Sequence, residues 1–531
     1  MKKVIAFLIM VFALFACGGN NATQETQNEK IFYLSGQPKG GDDKVGYFWQ
    51  DGSGLMPYLL SRGLIISNEN FNEIKPDLAE DFKVLDEGKT YEMTLKSNLK
   101  WSDGEPITVD DVRFSIETAL KASLLNGIFP VNFLKIEGAT EFKEGKAEHI
   151  SGLIFDGNKI TIKLVEPVGI FAQVLGQFTL VPKHSLENEN PVEIHNNAFW
   201  TKPVTNGMYM VDHISPGNYI ELVKNPYYEG ETPKFDKVRF NYLNSPVVAM
   251  QDGKSYMYST NKPNEISELE KISGLIKEPV NLLFYRYFIA NLSGIDGKGK
   301  SIVENPKVRE ALLYAINRKE IVDSLLKGIA EVNNTGVPFP EYYWKDAKAY
   351  EYNPEKAKEL LTEAGYDFNK TLRIIYYYKD QNSIDMMQAI SYQLEQAGIK
   401  NEVIQAQSDA TTELFKIRKY DIGLKGFSSF GLDSWYGEYA SDNTNFRNIY
   451  NGDTSFDKLA KDLASTVDEA KKKEILIELQ KLEQEKLLKL PLYTIKNFIF
   501  INTDKVGLPS GFKFGNPFYR YDYDFANWEA K

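Results

Sequence analysis

Apolar and polar positions alternate through the first half of the chain. In KTYEMTLKSNLKWSDGEPITVDDV the alternation from Tyr91 to Leu95 predicts a strand, and Asp103-Gly104 marks a turn. The period then changes. Val112, Ser115, Ile116 and Leu120 share one helical face, and Thr108 with Asp111 three residues on reads as a capping box. NKITIKLVEP (Asn158 to Pro167), YIELVKNPYY (Tyr219 to Tyr228) and KVRFNYL (Lys237 to Leu243) read as further strands. Beyond them the pattern turns helical. NPKVREALLYAINRKEIVDSLLKG holds two helices: Val308, Ala311, Leu312, Ala315 and Ile316 stripe the first, Asn317 with Glu320 caps the second, and Gly328 ends it. Asn353, Pro354 and Gly365 bracket another helix. Strand Leu372–Tyr378, helix Ile384–Gln396, strand Asn401–Gln405, helix Ala410–Ile417 and strand Asp421–Leu424 follow, an α/β alternation. A charged helix from Thr466 to Leu488 leads to a last strand, LPLYTIKNFIFIN.

The N-terminus departs from both periods. Met1-Lys2-Lys3 is basic, Val4 to Ala16 is an unbroken apolar run, and small residues follow at Gly18 and Gly19, the make-up of a secretory signal. The run falls short of the about 20 residues a spanning helix needs. Leu14-Phe15-Ala16-Cys17 resembles the lipobox of bacterial lipoproteins, which implies cleavage before Cys17 and a lipid on its sulfur. Asn20 to Asn28 is polar and suits a tether. The expectation is an exported chain, anchored by Cys17 to the cell envelope on the periplasmic or extracellular face.

Composition narrows the partners. Cys17 is the only cysteine, so no disulfide can form within the chain. At 531 residues more than one core is expected. The net charge of −11 disfavours a nucleic-acid partner, which would want a basic face. Aromatic residues make up 13%, and composition alone does not separate contact surface from core.

Chemical motifs are few. Gly294 to Ser301 (GIDGKGKS) fits the phosphate-loop expression, but Asn305-Pro306 follows too soon for a helix to start at Ser301, so the stretch reads as a flexible Gly/Lys loop. His149, His184, His195 and His213 are scattered, without the spacing of a metal site. No nucleophile–base pattern stands out. No catalytic residue, metal or cofactor is expected.

Taken together, PDLAEDFKV with KTYEMTLKSNLKWSDGEPITVDDVRFS, then VPKHSL, KPVTNGMYMVDHISPGNYIELVKNPYYEG, NPKVREALLYAINRKEIV, YNPEKAKELLTEAGYD and LQKLEQEKLLKLPLY, resemble the extracytoplasmic solute-binding proteins of family 5. That family supplies the oligopeptide-, dipeptide- and nickel-binding components of ABC importers. The resemblance implies an α/β, two-lobed periplasmic-binding-protein fold (class II-like, cluster C) with an extra strand-rich domain. The leader pattern and the lipobox, read separately, set a signal peptide at 1–16 and a tether at 17–29 before this fold. Lobe I would be 30–47, 182–265 and 490–531, with the extra domain at 48–181 and lobe II at 266–489. The resemblance also implies a monomer that captures a short peptide between the lobes and delivers it to a membrane permease and its ATPase. Oligosaccharides and metal chelates are the alternative ligands, and a secreted hydrolase is the rival of another class.

In peptide-binding members a carboxylate in a Gly-Trp-x-x-Asp pattern pairs with the ligand's α-amino group. Here Gly426 and Phe427 match its start, and Phe430 falls where the aspartate should be. Either Asp433 supplies the charge, or the ligand has no free amine there. The ligand-binding candidates are Phe427, Ser428, Ser429, Phe430, Asp433 and Trp435 in that loop. Tyr376 and Tyr378 at a strand end, Phe48 and Trp49, and Asn206 near a cleft-bordering segment complete the set. Core packing is an equal alternative for each aromatic residue.

Overall fold

The computed structural model describes residues 29–36 and 44–531; the expected leader, Cys17 and the tether up to Asn28 lie outside the described residues. An eleven-stranded sheet organises the molecule. In chain order its strands are β1 (Ile31–Gly36), β2 (Tyr209–Ser215), β3 (Tyr219–Lys224), β4 (Lys237–Tyr242), β5 (Met257–Thr260), β6 (Leu275–Ala290), β7 (Ala330–Val332), β8 (Leu372–Tyr376), β9 (Asn401–Gln405), β10 (Ile422–Ser428) and β11 (Lys489–Asn502). They lie side by side as β9-β8-β10-β6-β11-β5-β1-β4-β3-β2, with β7 also on β11.

Two long strands carry the chain between the halves of this sheet. The end of β11 pairs with β5 on one side, and the end of β6 pairs with β10 on the other. Between them β6 and β11 run antiparallel, with a register shift between Asn281 and Phe284. At that shift Leu283 takes a φ of 50°, a left-handed conformation that a branched side chain rarely adopts. The Asn281 side chain accepts a hydrogen bond from Leu283 N at 2.8 Å and holds the bulge. A bulge of this kind bends and twists the ribbon and gives a two-halved sheet a natural hinge.

The first half buries one continuous core. It includes Phe32, Trp49, Trp101, Trp200 and Tyr209, and takes in Tyr521, Phe525 and Trp528 from the C-terminus. A second, four-stranded antiparallel sheet (Ala79–Leu85, Thr90–Leu95, Lys159–Lys163, Leu153–Asp156) belongs to the same core. The expected capping box is formed: Thr108 N donates to Asp111 at 2.8 Å, and Asp111 also accepts from Lys183 N at 2.9 Å. One carboxylate thus satisfies a helix start and a distant loop.

The second half has a core on each face. On one face lie α1 (Pro306–Ala315), α2 (Arg318–Leu325), α3 (Pro354–Glu363) and α4 (Gln381–Gln396), packed around Phe288, Leu312, Leu361 and Ile390. On the other, α5 (Leu432–Gly437) and α6 (Glu469–Lys486) enclose Tyr285, Tyr287, Trp435 and Leu479. β8 pairs in parallel with both β9 and β10, so α4 is the crossover of a βαβ unit. Asn317 and Asn353 cap α2 and α3 as the pattern predicts, and Gly365 has a φ of 68°. Arg309 docks α1 by donating to the carbonyls of Val303, Glu304 and Lys486.

Two expectations need correction, and the Gly/Lys stretch is a loop as expected. The charged helix does not run from Thr466; it starts at Glu469, because Asp468 caps it by accepting from Lys471 N. The helix expected over Ala410–Ile417 is a π-helical turn, Thr412–Ile417. The Gly/Lys loop is a hydrogen-bonded turn: Asn291 donates to Gly294 O and Tyr420 O, and Ser301 donates to Asn291 O. The helix after it begins at Pro306, so no helix N-terminus faces that loop. Among the described residues no helix is long and apolar enough to cross a membrane.

Candidate functional site

The two halves meet where β10 ends. A cavity of about 250 Å³ lies there, lined by Phe71, Phe514, Asn516 and Tyr519 from the first half and by Leu283, Phe339 and Phe430 from the hinge and second half. A neighbouring cavity of about 80 Å³ shares Phe71, Leu283, Phe339 and Phe430 and extends to Ile170, Gln173, Asp433 and Lys472. Phe430 is the plug between the halves, with its ring 4.8 Å from Tyr519 and 5.6 Å from Phe71, both edge-on or tilted. Ser428 is exposed and bonds the Tyr519 hydroxyl. Ser429 is buried instead: its N–H donates to Leu283 O at 3.0 Å and its hydroxyl to Gly431 O.

Asp433 opens the first turn of α5, where carboxylates are favourable. It keeps part of its surface on the smaller cavity but sits deep in the fold, and that burial pushes its carboxyl above the usual range. The backbone N–H of Ser434 opposes the shift, as does the charge of Lys472, but Lys472 forms its ion pair with Glu469. Oδ1 of Asp433 is enclosed and has no hydrogen-bond partner. A Cβ on Gly431 beside it would stand 2.6 Å from Oδ1, so a side chain there would push the Asp433 carboxylate aside.

Behind this loop the packing is charged and aromatic. Trp435 is fully buried, its indole N–H donating to Glu483 at 3.1 Å, with Tyr436, Tyr439 and Gly336 N donating to the same carboxylate. Lys489, also fully buried, lies 3.7 Å from the Trp435 ring and donates to Trp435 O at 2.9 Å. Phe427 is half-buried beside Lys425.

The structure separates the predicted residues. It gathers Ser428, Phe430 and Asp433 at the cleft. Trp435, by contrast, is a core residue, as is Tyr376, which packs in the second half's other core. Phe48 and Trp49 are enclosed in the first core: Phe48 packs on Trp200 at 5.3 Å, and Trp49 stacks on Phe178 and donates to Thr179 O at 2.9 Å. Asn206 is buried and accepts from Arg62 N at 2.7 Å. These five pack cores rather than line the cleft, and the Trp49 indole and the Asn206 amide find their partners in backbone groups. Tyr378 is half-buried, holding the Tyr377 hydroxyl at 2.8 Å and stacking on Arg286. Phe71, Phe339 and Tyr519 were not singled out from sequence. Only Tyr519 left a signal, in the aromatic run NPFYRYDYDF.

A doubled crossover joins the two halves of the sheet, and the cleft between them lies at the carboxyl ends of parallel strands. The family model for bacterial extracellular solute-binding proteins, family 5 Middle, matches residues 73–456, and the chain belongs to that family. It is 27% identical to the oligopeptide-binding protein OppA of Lactococcus lactis subsp. lactis over 348 residues, 62% of this chain and 57% of that protein. The chain spans about three fifths of the length of the curated relatives it matches. Among solved structures it resembles MppA, a periplasmic murein tripeptide binding protein in its unliganded open form, with a TM-score of 0.77, 18% identity, and coverage of 94% of this chain and 97% of that one. It also resembles AppA of Bacillus subtilis in complex with a nonapeptide, with a TM-score of 0.64, 23% identity, and coverage of 95% and 99%. The fold is the two-lobed cluster C binding-protein fold.

Proposed function

We propose that this chain is the solute-binding component of an ABC importer, that its solute is a short peptide, and that it passes the peptide to a membrane permease without making or breaking a bond in it. One observation carries the peptide reading: a deeply set carboxylate, Asp433, lines the inter-lobe cavity with an unpaired oxygen and no cation in ion-pairing contact. A buried charge of this kind is costly until a ligand cation meets it, and an α-ammonium group has the right charge and size. Phe430, standing where the family's aspartate is expected, closes the cleft as an apolar plug, and Asp433 takes over the charge three residues on. The family and the peptide-binding relative support the same reading. Ligand contacts with both halves would stabilise the closed form and present it to the permease. Export, and anchoring of a monomer through lipid on Cys17, complete the proposal; a Cys17→Ser chain should leave the membrane fraction.

Denaturing the purified protein and weighing what it releases is the first test. Intact peptides of a few residues are expected, together with calorimetric binding of di- to pentapeptides. Recovery of an oligosaccharide or a metal chelate with no peptide would replace the solute, and peptide fragments accumulating over time would mark a hydrolase.

A further inference from the structure

Arg286 points from β6 toward the same face as Phe284 and Phe288, two residues beyond the hinge bulge. Its guanidinium lies between aromatic rings, 4.5 Å from the Phe284 centroid and 4.1 Å from that of Tyr378. The Tyr493 hydroxyl is its hydrogen-bond partner. Among the described residues no carboxylate lies within ion-pairing distance, and Nη1 is enclosed without any hydrogen-bond partner. The other enclosed arginines are spent differently. Arg62 pairs with Asp77 at 2.7 Å and Glu229 at 2.8 Å, Arg520 pairs with Asp77, and Arg318 donates to backbone carbonyls. Arg286 alone of these keeps a planar fork of donors, fixed in orientation by stacking, with nothing anionic to receive it.

The surroundings leave room for that fork. Gly426 is paired with Arg286 across β6 and β10, and a Cβ there would stand 2.1 Å from Nη1 and 2.2 Å from the Tyr378 hydroxyl. Tyr378 follows the carboxyl end of β8, just before the N-terminus of the 16-residue helix α4. Ser428, which bonds the first half's Tyr519, lies two residues along β10 from Gly426 and opposite Phe284. The guanidinium is therefore on the β10-end side of the second half, half-buried, near the N-terminus of α4, where the Asp380 carboxylate is spent on capping the helix through Ser383.

We propose that Arg286 receives the carboxylate of the ligand, Asp433 and Arg286 together reading the two charged ends of a peptide around the end of β10. This assignment rests on the peptide reading above. Stacking on Phe284 and Tyr378 fixes the plane in which the carboxylate docks, and the aromatic walls exclude water from the pair.

The test uses one tightly bound peptide and its C-terminal amide, titrated calorimetrically into the wild-type protein and into Arg286→Gln. The wild type should bind the free acid at least thirtyfold more tightly than the amide. Arg286→Gln should lose that factor for the acid and leave the amide unchanged, and Arg286→Lys should recover part of it. Equal wild-type affinity for acid and amide would overturn the assignment alone, whether or not the variant folds. Equal loss for both ligands in Arg286→Gln would also overturn it, leaving Arg286 a packing residue. Silence of every peptide on the wild type would overturn the peptide reading and this assignment with it.

Discussion

Asp433→Asn is expected to weaken binding of a free-amine peptide about a hundredfold, about 2.7 kcal/mol, while raising slightly the midpoint of the unliganded protein in urea. Both effects come from the same charge. Burial pushes the Asp433 carboxyl above its ordinary value. The folded state therefore holds its proton to higher pH than the unfolded chain does. Stability from this group is present below the unfolded carboxylate value and is lost as pH rises through the window up to the folded value. At neutral pH the charged side chain is a cost that asparagine does not carry. A ligand ammonium reverses the balance by favouring the ionised form, so binding releases a proton wherever the free protein is still protonated. Affinity for free-amine peptides should accordingly fall as the pH drops through that window. Truncating one partner of a buried charge pair usually costs 2–5 kcal/mol, so about 2.7 is at the modest end. An N-acetylated peptide gives the control: it should bind the wild type weakly and lose little more on Asp433→Asn. A full hundredfold loss for the acetylated peptide too would mean that the variant disturbs the loop rather than the charge.

Local chemistry was readable where one segment settles its own structure. Asn317 and Asn353 cap helices with residues three positions on, Asp111 reaches back three residues to Thr108, and Gly365 meets its own left-handed φ. β6 was not readable at its full length. It crosses between two halves, its faces change partners at the Asn281–Phe284 shift, and Pro279 interrupts the pattern. The break before α6 was missed because Asp468 fits a charged helix as well as it fits a cap. The site divides in the same way. Asp433 stands out as an acid in an aromatic loop. Trp49 has the same composition signal as a cleft wall, and only its bond to Thr179 O, far away in sequence, assigns it to a core. Arg286 is the extreme case. Its meaning lies in the absence of an acid from β8, β10 and β11, and a single chain segment carries no trace of that.

Glu438→Gln should be the most destabilising conservative change in the second half, by about 3–5 kcal/mol, the usual cost of breaking a buried ion pair. Glu438 is buried and meets Lys489 at 2.9 Å, Lys425 at 2.8 Å and the Tyr287 hydroxyl at 2.5 Å. Burial pushes its carboxyl up, and Lys489 and Lys425 more than offset that, holding it below its ordinary value. Lys489 has no exposed surface, and burial brings its amine down to about 8 in spite of Glu438. Between that value and the ordinary lysine range the unfolded chain binds more protons, so this group alone makes stability rise with pH there. Without Glu438 the amine would deprotonate at still lower pH, and the rise would begin below pH 8. Replacing both partners, Glu438→Gln with Lys489→Met, should recover much of the loss in urea denaturation, because the fully enclosed amine is then gone and only Lys425, which keeps some exposed surface, loses its carboxylate. The ligand site should respond as well. Lys489 donates to Trp435 O, and Glu483 takes the Trp435 indole, so the charged cluster is the floor on which the 428–433 loop rests. The double variant should therefore regain stability more completely than peptide affinity. If affinity returned in full with stability, the cluster would serve the fold alone, and the position of Asp433 would be set by Phe430 and Gly431 without it.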